Sequence, residues 1–88
     1  MVTVELPAAL RAFADGQSRV KVAADTVGLA LEALCARHTA LRAKLFTDAG
    51  SLKRSIGVFF DDEDVRDAPG TTLAARSVIV LVAAMAGG

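Results

Sequence analysis

The sequence predicts an α+β domain in which one main helix packs against one face of a mixed sheet of four or five strands. Three stretches carry this prediction. Residues 2–6 alternate apolar and polar side chains, as a half-buried strand does. Residues 27–38 repeat apolar side chains every three or four positions, which is the pattern of one stripe of a helix. Residues 78–82 form a continuous, mostly β-branched apolar run, which is typical of a central, well-buried strand.

The first half of the chain predicts a hairpin followed by the main helix. The strand over residues 2–6 ends at Pro7, and residues 8–18 predict a long loop with a turn at Asp15-Gly16. A second short strand follows around Val20 and Val22. Asp25-Thr26 predicts a helix start, because either side chain can accept a hydrogen bond from the first turn. Gly28 is a mild local cost inside this helix. The predicted apolar stripe comprises Val27, Ala30, Leu31, Leu34, Cys35 and His38.

The second half predicts a short helical piece and three more strands. Leu41, Leu45 and Phe46 indicate the helical piece, closed by a turn at residues 48–50. A strand at 56–60 is followed by a polar turn at 61–64, a brief strand at 65–66 and a turn at 67–70. Residues 71–75 predict a short helical turn before the last strand.

The last strand can pair centrally and in parallel with the first, because the helix and the later strands provide the crossover length. This arrangement is the β-grasp. We therefore expect a β-grasp domain over residues 1–82 and a flexible tail over residues 83–88.

Composition excludes several classes of protein. Ten basic and ten acidic side chains leave no net charge, which argues against a nucleic-acid partner. No stretch approaches the roughly 20 apolar residues that span a bilayer, so we expect no membrane association. We also expect no signal peptide. The single cysteine, Cys35, cannot form an internal disulfide, so a reducing, cytoplasmic setting is the simplest expectation.

The end of the chain carries the strongest functional signal. The last residues are Ala86-Gly87-Gly88, and a terminal glycine leaves its carbonyl carbon sterically open. A carboxylate is a poor electrophile, but transfer of an adenylate to it supplies a good leaving group that sulfur can displace. The product is a terminal thiocarboxylate, a soft sulfur donor. A frayed tail of small residues is the alternative interpretation.

The chain resembles the ThiS/MoaD-type ubiquitin-like sulfur carriers over its whole length. The resemblance rests on the opening strand with Pro7, on Asp25-Thr26, on the turn 62–66 (Asp-Glu-Asp-Val-Arg) and on the Ala-Gly-Gly end. The turn is most similar to that of the carrier for cysteine synthesis, with the molybdopterin synthase small subunit next. The chain departs from the family pattern at Ala74-Ala75-Arg76-Ser77, where a Gly-Asp turn is usual, and at Ala83-Ala84, where a proline is common.

The resemblance implies that Gly88, with Gly87 as its unhindered neighbour, is adenylated by an E1-like, ATP-dependent enzyme and then thiocarboxylated. The chain would then be a protein substrate rather than an enzyme. It has no phosphate-binding glycine loop, so ATP and its Mg²⁺ would belong to the partner, and no bound cofactor is expected. A sulfur-accepting synthase would be the second partner, and we expect the free carrier to be a monomer.

The resemblance also suggests a docking face. Alternation turns Ile56, Val58 and Phe60 inward and Phe59 outward, and it turns Val80 and Val82 outward on the last strand. We therefore predict that Phe59, Val80 and Val82 form an exposed apolar patch near the tail, with Met85 and Ala86 as further contacts. A nearby loop covering these residues is the alternative.

The remaining candidate groups predict structural roles. Cys35 is expected to be a buried thiol rather than a reactive one. With His38 as the only histidine, no zinc site is expected. The four carboxylates at 61–64 lack calcium-loop spacing, so they predict a solvated turn, with docking of a basic partner surface as the alternative.

Two other functions start from the same features. In one, Gly88 is joined to lysines of target proteins, as in ubiquitin-like tagging. In the other, the domain is a plain β-grasp interaction module with an inert tail. The sequence does not choose the biosynthetic pathway, whether cysteine, molybdopterin, thiamine or a secondary metabolite.

Overall fold

A sheet and three α-helices make up residues 1–83, the part of the chain that the computed structural model describes. The strands are β1 (Val2–Glu5), β2 (Arg19–Val22), β3 (Ile56–Phe60), β4 (Glu63–Asp64) and β5 (Val78–Ala83). The helices are α1 (Ala8–Arg11), α2 (Val27–Arg37) and α3 (Ala40–Leu45), and a 3₁₀ turn at Ala12–Ala14 follows α1.

The order of the strands in the sheet confirms the predicted fold. In the described residues the sheet has five strands in the order β2-β1-β5-β3-β4. Strand β1 is antiparallel to β2 and parallel to β5, and β3 is antiparallel to both β5 and β4. The last strand therefore lies in the middle of the sheet, beside the first. This is the β-grasp arrangement.

The core lies between the sheet and α2. Val2 and Val4 of β1 and Ile79 and Leu81 of β5 are buried on the inner face. The stripe of α2 that packs over them is buried as the sequence predicts, and each such Val, Leu or Ile side chain contributes about 1.5–3 kcal/mol by leaving water. The buried residues of this stripe are Val27, Ala30, Leu31, Leu34 and Cys35.

The start of α2 is held by its own cap and by a distant loop. Thr26 is the N-cap residue, and its Oγ1 accepts a hydrogen bond from the N–H of Leu29 at 3.2 Å. The N–H groups of Val27 and Gly28 donate to carbonyls of the loop at 69–71, so the free donors of the first turn are satisfied. A Cβ at Gly28 would lie 3.1 Å from the Cβ of Pro69. A side chain at this position would therefore push the loop back by a few tenths of an ångström, which gives a reason for a glycine here despite its cost within a helix.

The segment that the sequence predicts as a loop at 8–18 is partly helical. Helix α1 begins directly after Pro7, and the 3₁₀ turn continues it to Ala14. Leu10 and Ala14 are buried, so the segment closes one end of the core. The turn at Asp15-Gly16 is confirmed, since both residues have positive φ. Hairpin pairing of β1 with β2 is confirmed as well.

Two predictions for the second half of the chain are wrong, the strand at 65–66 and the helical turn at 71–75. The short strand after it is Glu63–Asp64 rather than residues 65–66. The turn is tighter than predicted because Asp61 and Asp62 both adopt left-handed φ, at 52° and 65°, which suits a two-residue hairpin. Residues 71–75 contain no helical turn. Instead, Thr72 forms a bridge with Thr26, and the N–H of Leu73 donates to the Asp25 carbonyl.

The last strand is buried on one face only. Ile79 and Leu81 are fully buried, whereas Val78 and Val82 are each 41% exposed. The alternation predicted Val80 and Val82 to point outward, and within residues 1–83 the helices cover only the inner face of the sheet. The outer face of β5 is therefore an open apolar surface.

Candidate functional site

The exit of the chain from the sheet defines one end of the candidate site. Ala83 is the last described residue, and it pairs with Ile56 at the beginning of β3. It therefore belongs to β5 rather than to the tail, and the domain extends one residue beyond the predicted boundary at 82. The predicted site residues Met85, Ala86, Gly87 and Gly88 lie outside the described residues.

An apolar strip lies on the outer face of the sheet, leading towards that exit. Phe59 and Val80 are direct cross-strand partners, and Val82 follows two positions along β5. The three residues predicted to form an exposed patch are thus neighbours on the outer face. We call them, together with Val78, the outer strip. Val78 was not predicted as part of this patch, although the alternation that turns Val80 and Val82 outward also turns Val78 outward.

Gly57 shapes one end of the outer strip. It pairs with Val82, and a Cβ placed on it would lie 2.6 Å from Val82 Cγ2 and 3.1 Å from Phe59 Cε2. Ordinary carbon contacts are about 3.5–4.0 Å. The absence of a side chain at Gly57 therefore lets the valine and the phenylalanine ring close over the backbone.

Charged residues flank the outer strip on both sides. On the β2 side, Arg19 forms an ion pair with Glu5 at 2.9 Å, and Lys21 is exposed beside them. On the β4 side, Asp61 and Asp62 line the same shallow depression as the four residues of the outer strip. The outer face is therefore apolar at its centre, mixed at one edge and acidic at the other.

The motif Asp62-Glu63-Asp64-Val65-Arg66 has a structural explanation. Its first residue completes the two-residue turn, and the Asp64 carboxylate accepts a hydrogen bond from the N–H of Arg66 at 3.0 Å. Val65 is buried, and its N–H donates to the carbonyl of Val58, which continues the pairing beyond β4.

Arg66 is the anchor of this motif. Its guanidinium donates to the Ile56 carbonyl at 2.8 Å. It also reaches the carbonyls of Leu52, Lys53 and Arg54 at 3.3–3.4 Å. The side chain therefore holds the segment 52–56 in place through its backbone carbonyls. This segment leads into β3, and Ile56, the first residue of β3, pairs with Ala83. The sequence carries no signal for this role of Arg66, because the partners of the side chain are backbone carbonyls.

Cys35 lies on the buried stripe of α2 as predicted, whereas His38 lies one residue beyond the helix, as its C-cap. Cys35 is fully buried, and its burial raises the pKa of the thiol, while Arg42 lowers it and Glu32 raises it by charge. A buried thiol held in its neutral form is a poor nucleophile. The Nδ1 of His38 lies 3.9 Å from an Asp15 carboxylate oxygen. Its Nε2 is buried and has no hydrogen-bond partner among the described residues.

Residues 1–83 contain neither a metal-binding cluster nor a membrane-spanning helix. No three His, Cys, Asp or Glu side chains in this range lie close enough together to hold a metal ion. None of the helices in this range is long and apolar enough to cross a membrane.

The strand order defines a class of protein, the ubiquitin-like β-grasp domains. The family within this class follows from sequence. The ThiS family model matches residues 4–88, and the chain belongs to the ThiS family. The match continues through the last residue, so it includes the Gly-Gly end.

Individual relatives agree with this assignment. The chain is 33% identical to the sulfur carrier protein CysO of Mycobacterium tuberculosis, over 99% of this chain and 98% of the relative. The CysO complex with BexX from Amycolatopsis orientalis has a TM-score of 0.85 at 30% identity, over the full length of both chains. SAMP1 from Haloferax volcanii has a TM-score of 0.81 at 36% identity, over 99% of this chain and 98% of that one.

These relatives confirm three predictions from the sequence. The resemblance to the ThiS-type carriers is confirmed, as is the ubiquitin-like β-grasp fold. The sulfur-carrier class is confirmed too, and members of this class are small carriers rather than enzymes. The docking role of the outer strip and the role of Gly88 stay predictions.

Proposed function

We propose that this protein carries sulfur as a thiocarboxylate on its terminal residue, Gly88. An E1-like enzyme would first join the Gly88 carboxylate to the adenylate of ATP, releasing pyrophosphate. Hydrosulfide would then attack the acyl carbon, AMP would leave and a proton would be released. The resulting thiocarboxylate would donate its sulfur to a biosynthetic acceptor.

The observation that supports this proposal most strongly is the length of chain that the ThiS family model matches. It runs from residue 4 to residue 88 and so covers the fold and the Gly-Gly end together. The 33% identical relative is itself named a sulfur carrier protein, and its alignment spans nearly all of both chains. If the end were a frayed, inert tail, the family model would have no reason to include it.

The partners follow from the chemistry. ATP and Mg²⁺ would be bound by the adenylating enzyme, since this chain has no glycine-rich phosphate loop in its sequence. A CysO protein from Amycolatopsis orientalis is known in complex with BexX. By analogy, we propose that this chain also binds a second, sulfur-accepting protein. The outer strip would serve as a contact surface for these partners, because it is open, apolar and leads to the exit at Ala83.

Protein tagging is the alternative function, and one observation favours it. The chain is 35–36% identical to SAMP1 of Haloferax volcanii, a small archaeal modifier protein. Both functions begin with adenylation of Gly88. They differ in the acceptor, which is sulfur in one case and a lysine amine of a target protein in the other.

Mass spectrometry of the intact protein tests the proposal. The protein is isolated from its native cells, or incubated with the cognate E1-like enzyme, ATP, Mg²⁺ and sulfide. We expect a mass increase that corresponds to replacement of one oxygen by sulfur, located on Gly88 by fragmentation. A variant lacking Gly88 should show no such increase. Isopeptide-linked adducts without any thiocarboxylate would instead establish tagging, and an unmodified end under all conditions would refute both.

A second test addresses the docking surface. Phe59→Asp places a charge in the middle of the outer strip, where the wild-type ring is only partly buried. We expect the fold to be retained and adenylation by the E1-like enzyme to be abolished. As a control, Leu29→Asp changes an exposed leucine of α2, on the other side of the sheet, and should leave adenylation unchanged. Unchanged adenylation kinetics for Phe59→Asp would exclude the outer strip as the docking surface.

A further inference from the structure

The outer strip ends in two carboxylates that have no ion-pair partner among residues 1–83. Asp61 and Asp62 are exposed and line the same depression as Phe59, Val78 and Val80. The ion pairs found in the described part of the chain involve other acidic residues, namely Glu5, Asp15 and Glu32. The depression therefore has an apolar floor and an unneutralised negative rim at one end.

The acidic rim lies at one end of the outer strip, and the chain leaves the sheet at the other end. The pairing of Phe60 with Ile79 brings the Asp61-Asp62 turn beside the start of β5, at Val78. The chain leaves the sheet at the other end of β5, after Ala83. Ala83 lies five positions beyond Val78, which is about 17 Å along a strand. The acidic rim and the exit of the chain thus lie at opposite ends of one surface.

A long cationic side chain fits this combination of surfaces. The methylenes of lysine or arginine pack on apolar surface while the charged head seeks a polar partner. The aromatic face of Phe59 also attracts a guanidinium, and paired carboxylates accept its N–H groups. A phosphate group does not fit, because the rim would repel it. A purely apolar partner fits the floor but makes no use of the rim.

We propose that the adenylating partner docks on the outer strip through a lysine or arginine whose charge lies at Asp61 and Asp62. This inference rests on the proposed function and adds the chemistry and the orientation of the partner surface. The partner's nucleotide site would lie beyond the opposite end of β5. Five residues follow Ala83, and they span at most about 18 Å. The cationic anchor and the reacting phosphorus of the partner would then lie within about 35 Å of each other.

The acidic turn supplies its own matched control. Glu63 pairs with Phe60, whereas Asp64 pairs with Phe59, so the side chain of Glu63 lies on the face away from the outer strip. Asp67 is exposed and lines a separate groove beside the beginning of α2. A Glu63→Gln/Asp67→Asn variant therefore removes two negative charges close to the turn without changing the depression.

The test compares this control with an Asp61→Asn/Asp62→Asn variant. Asparagine tolerates left-handed φ at least as well as aspartate, so the turn should be retained, and a thermal unfolding curve checks this. Binding of the cognate E1-like enzyme is measured by biolayer interferometry at low and at high salt, and thiocarboxylation by intact mass.

We expect the Asp61/Asp62 variant to bind about 10-fold more weakly at low salt, chiefly through slower association, with a smaller difference at high salt. The control should stay within about two-fold of wild type, because its charges do not face the partner. Equal binding by both variants, with normal thiocarboxylation, would overturn the inference and leave the proposed function intact. Failure of the wild-type protein to be adenylated at all would overturn the proposed function instead.

A second copy of the chain is the competing occupant of the depression, since Lys21 of another molecule could supply the cation. Sedimentation velocity distinguishes this case. Self-association of wild type that is lost in the Asp61/Asp62 variant, with no change in enzyme binding, would overturn the inference in favour of a dimer. A monomeric wild type with the expected loss of enzyme binding supports it.

Discussion

Replacing Arg66 with alanine should destabilise the domain more than any other exposed or half-exposed arginine substitution. The wild-type guanidinium donates to the carbonyls of four residues in the segment 52–56. Alanine leaves all four without this donor. The segment leads into β3, whose first residue, Ile56, pairs with Ala83. Loss of the arginine should therefore loosen the point at which the chain leaves the sheet.

The size of the effect follows from the geometry. A hydrogen bond from a charged group contributes about 1.5–3 kcal/mol when it is well formed. The bond to the Ile56 carbonyl, at 2.8 Å, qualifies, whereas the other three, at 3.3–3.4 Å, are long. We assign about 1.5 kcal/mol to the first and about 1 kcal/mol to the other three together, because water replaces them at the surface. Arg66→Ala should then lower the free energy of unfolding by about 2.5 kcal/mol, and the Tm by roughly 10–20 °C.

Urea denaturation followed by circular dichroism measures this change, and Arg54→Ala is the matched control. Arg54 is exposed in the same region, and only its backbone carbonyl takes part in the hydrogen bonds to Arg66. Its truncation should change stability by less than about 0.5 kcal/mol. Arg66→Lys should lie between the two variants, because one ammonium cannot reach four carbonyls. If Arg66→Ala and Arg54→Ala unfold at the same urea concentration, the anchoring role of Arg66 is refuted.

Three further predictions test other features. Arg76 has a left-handed φ of 68°, which is strained for a residue with a side chain, so Arg76→Gly should raise the free energy of unfolding by about 0.5–1 kcal/mol, measured by urea denaturation. A lower free energy of unfolding in this variant would contradict backbone strain at Arg76. Gly57→Ala should weaken binding of the adenylating partner by displacing Val82 or Phe59, while strand propensity and side-chain strain offset each other to within about 1 kcal/mol in stability. Burial raises the pKa of Cys35, so its contribution to stability is full below the ordinary thiol pKa and is lost as the pH rises through the raised value. Wild type should therefore lose more stability than Cys35→Ala between about pH 7 and about pH 10, and parallel pH profiles would contradict this.

The fold was predictable because its main signals are local. The alternation in β1, the stripe of α2 and the apolar run of β5 each report burial on one face, and the structure confirms all three elements. The errors occur where a distant contact decides the local structure. Thr72 and Leu73 pair with Thr26 and Asp25, just before α2, and residues 71–75 therefore form no helical turn.

The candidate site was predictable in part. The alternation of strands β3 and β5 gave Phe59, Val80 and Val82, and the structure places them side by side. Val78 was not among the predicted residues, although it stands two positions before Val80 in the same alternation. The sequence also could not show which of the four acidic side chains at 61–64 face the outer strip. Only the pairing of β3 with β4 shows that Asp61 and Asp62 line the outer strip while Glu63 faces away.

The central position of β5 also determines how the domain responds to force. The strand is bonded to β1 on one side, in parallel, and to β3 on the other, in antiparallel pairing. Tension applied beyond Ala83 acts along the axis of this strand, so it loads both rows of hydrogen bonds in shear. Such bonds resist together, whereas bonds at a sheet edge pulled sideways open one after another. Under the proposed function, a partner enzyme that pulls the end of the chain along this axis would act against both rows of hydrogen bonds at once.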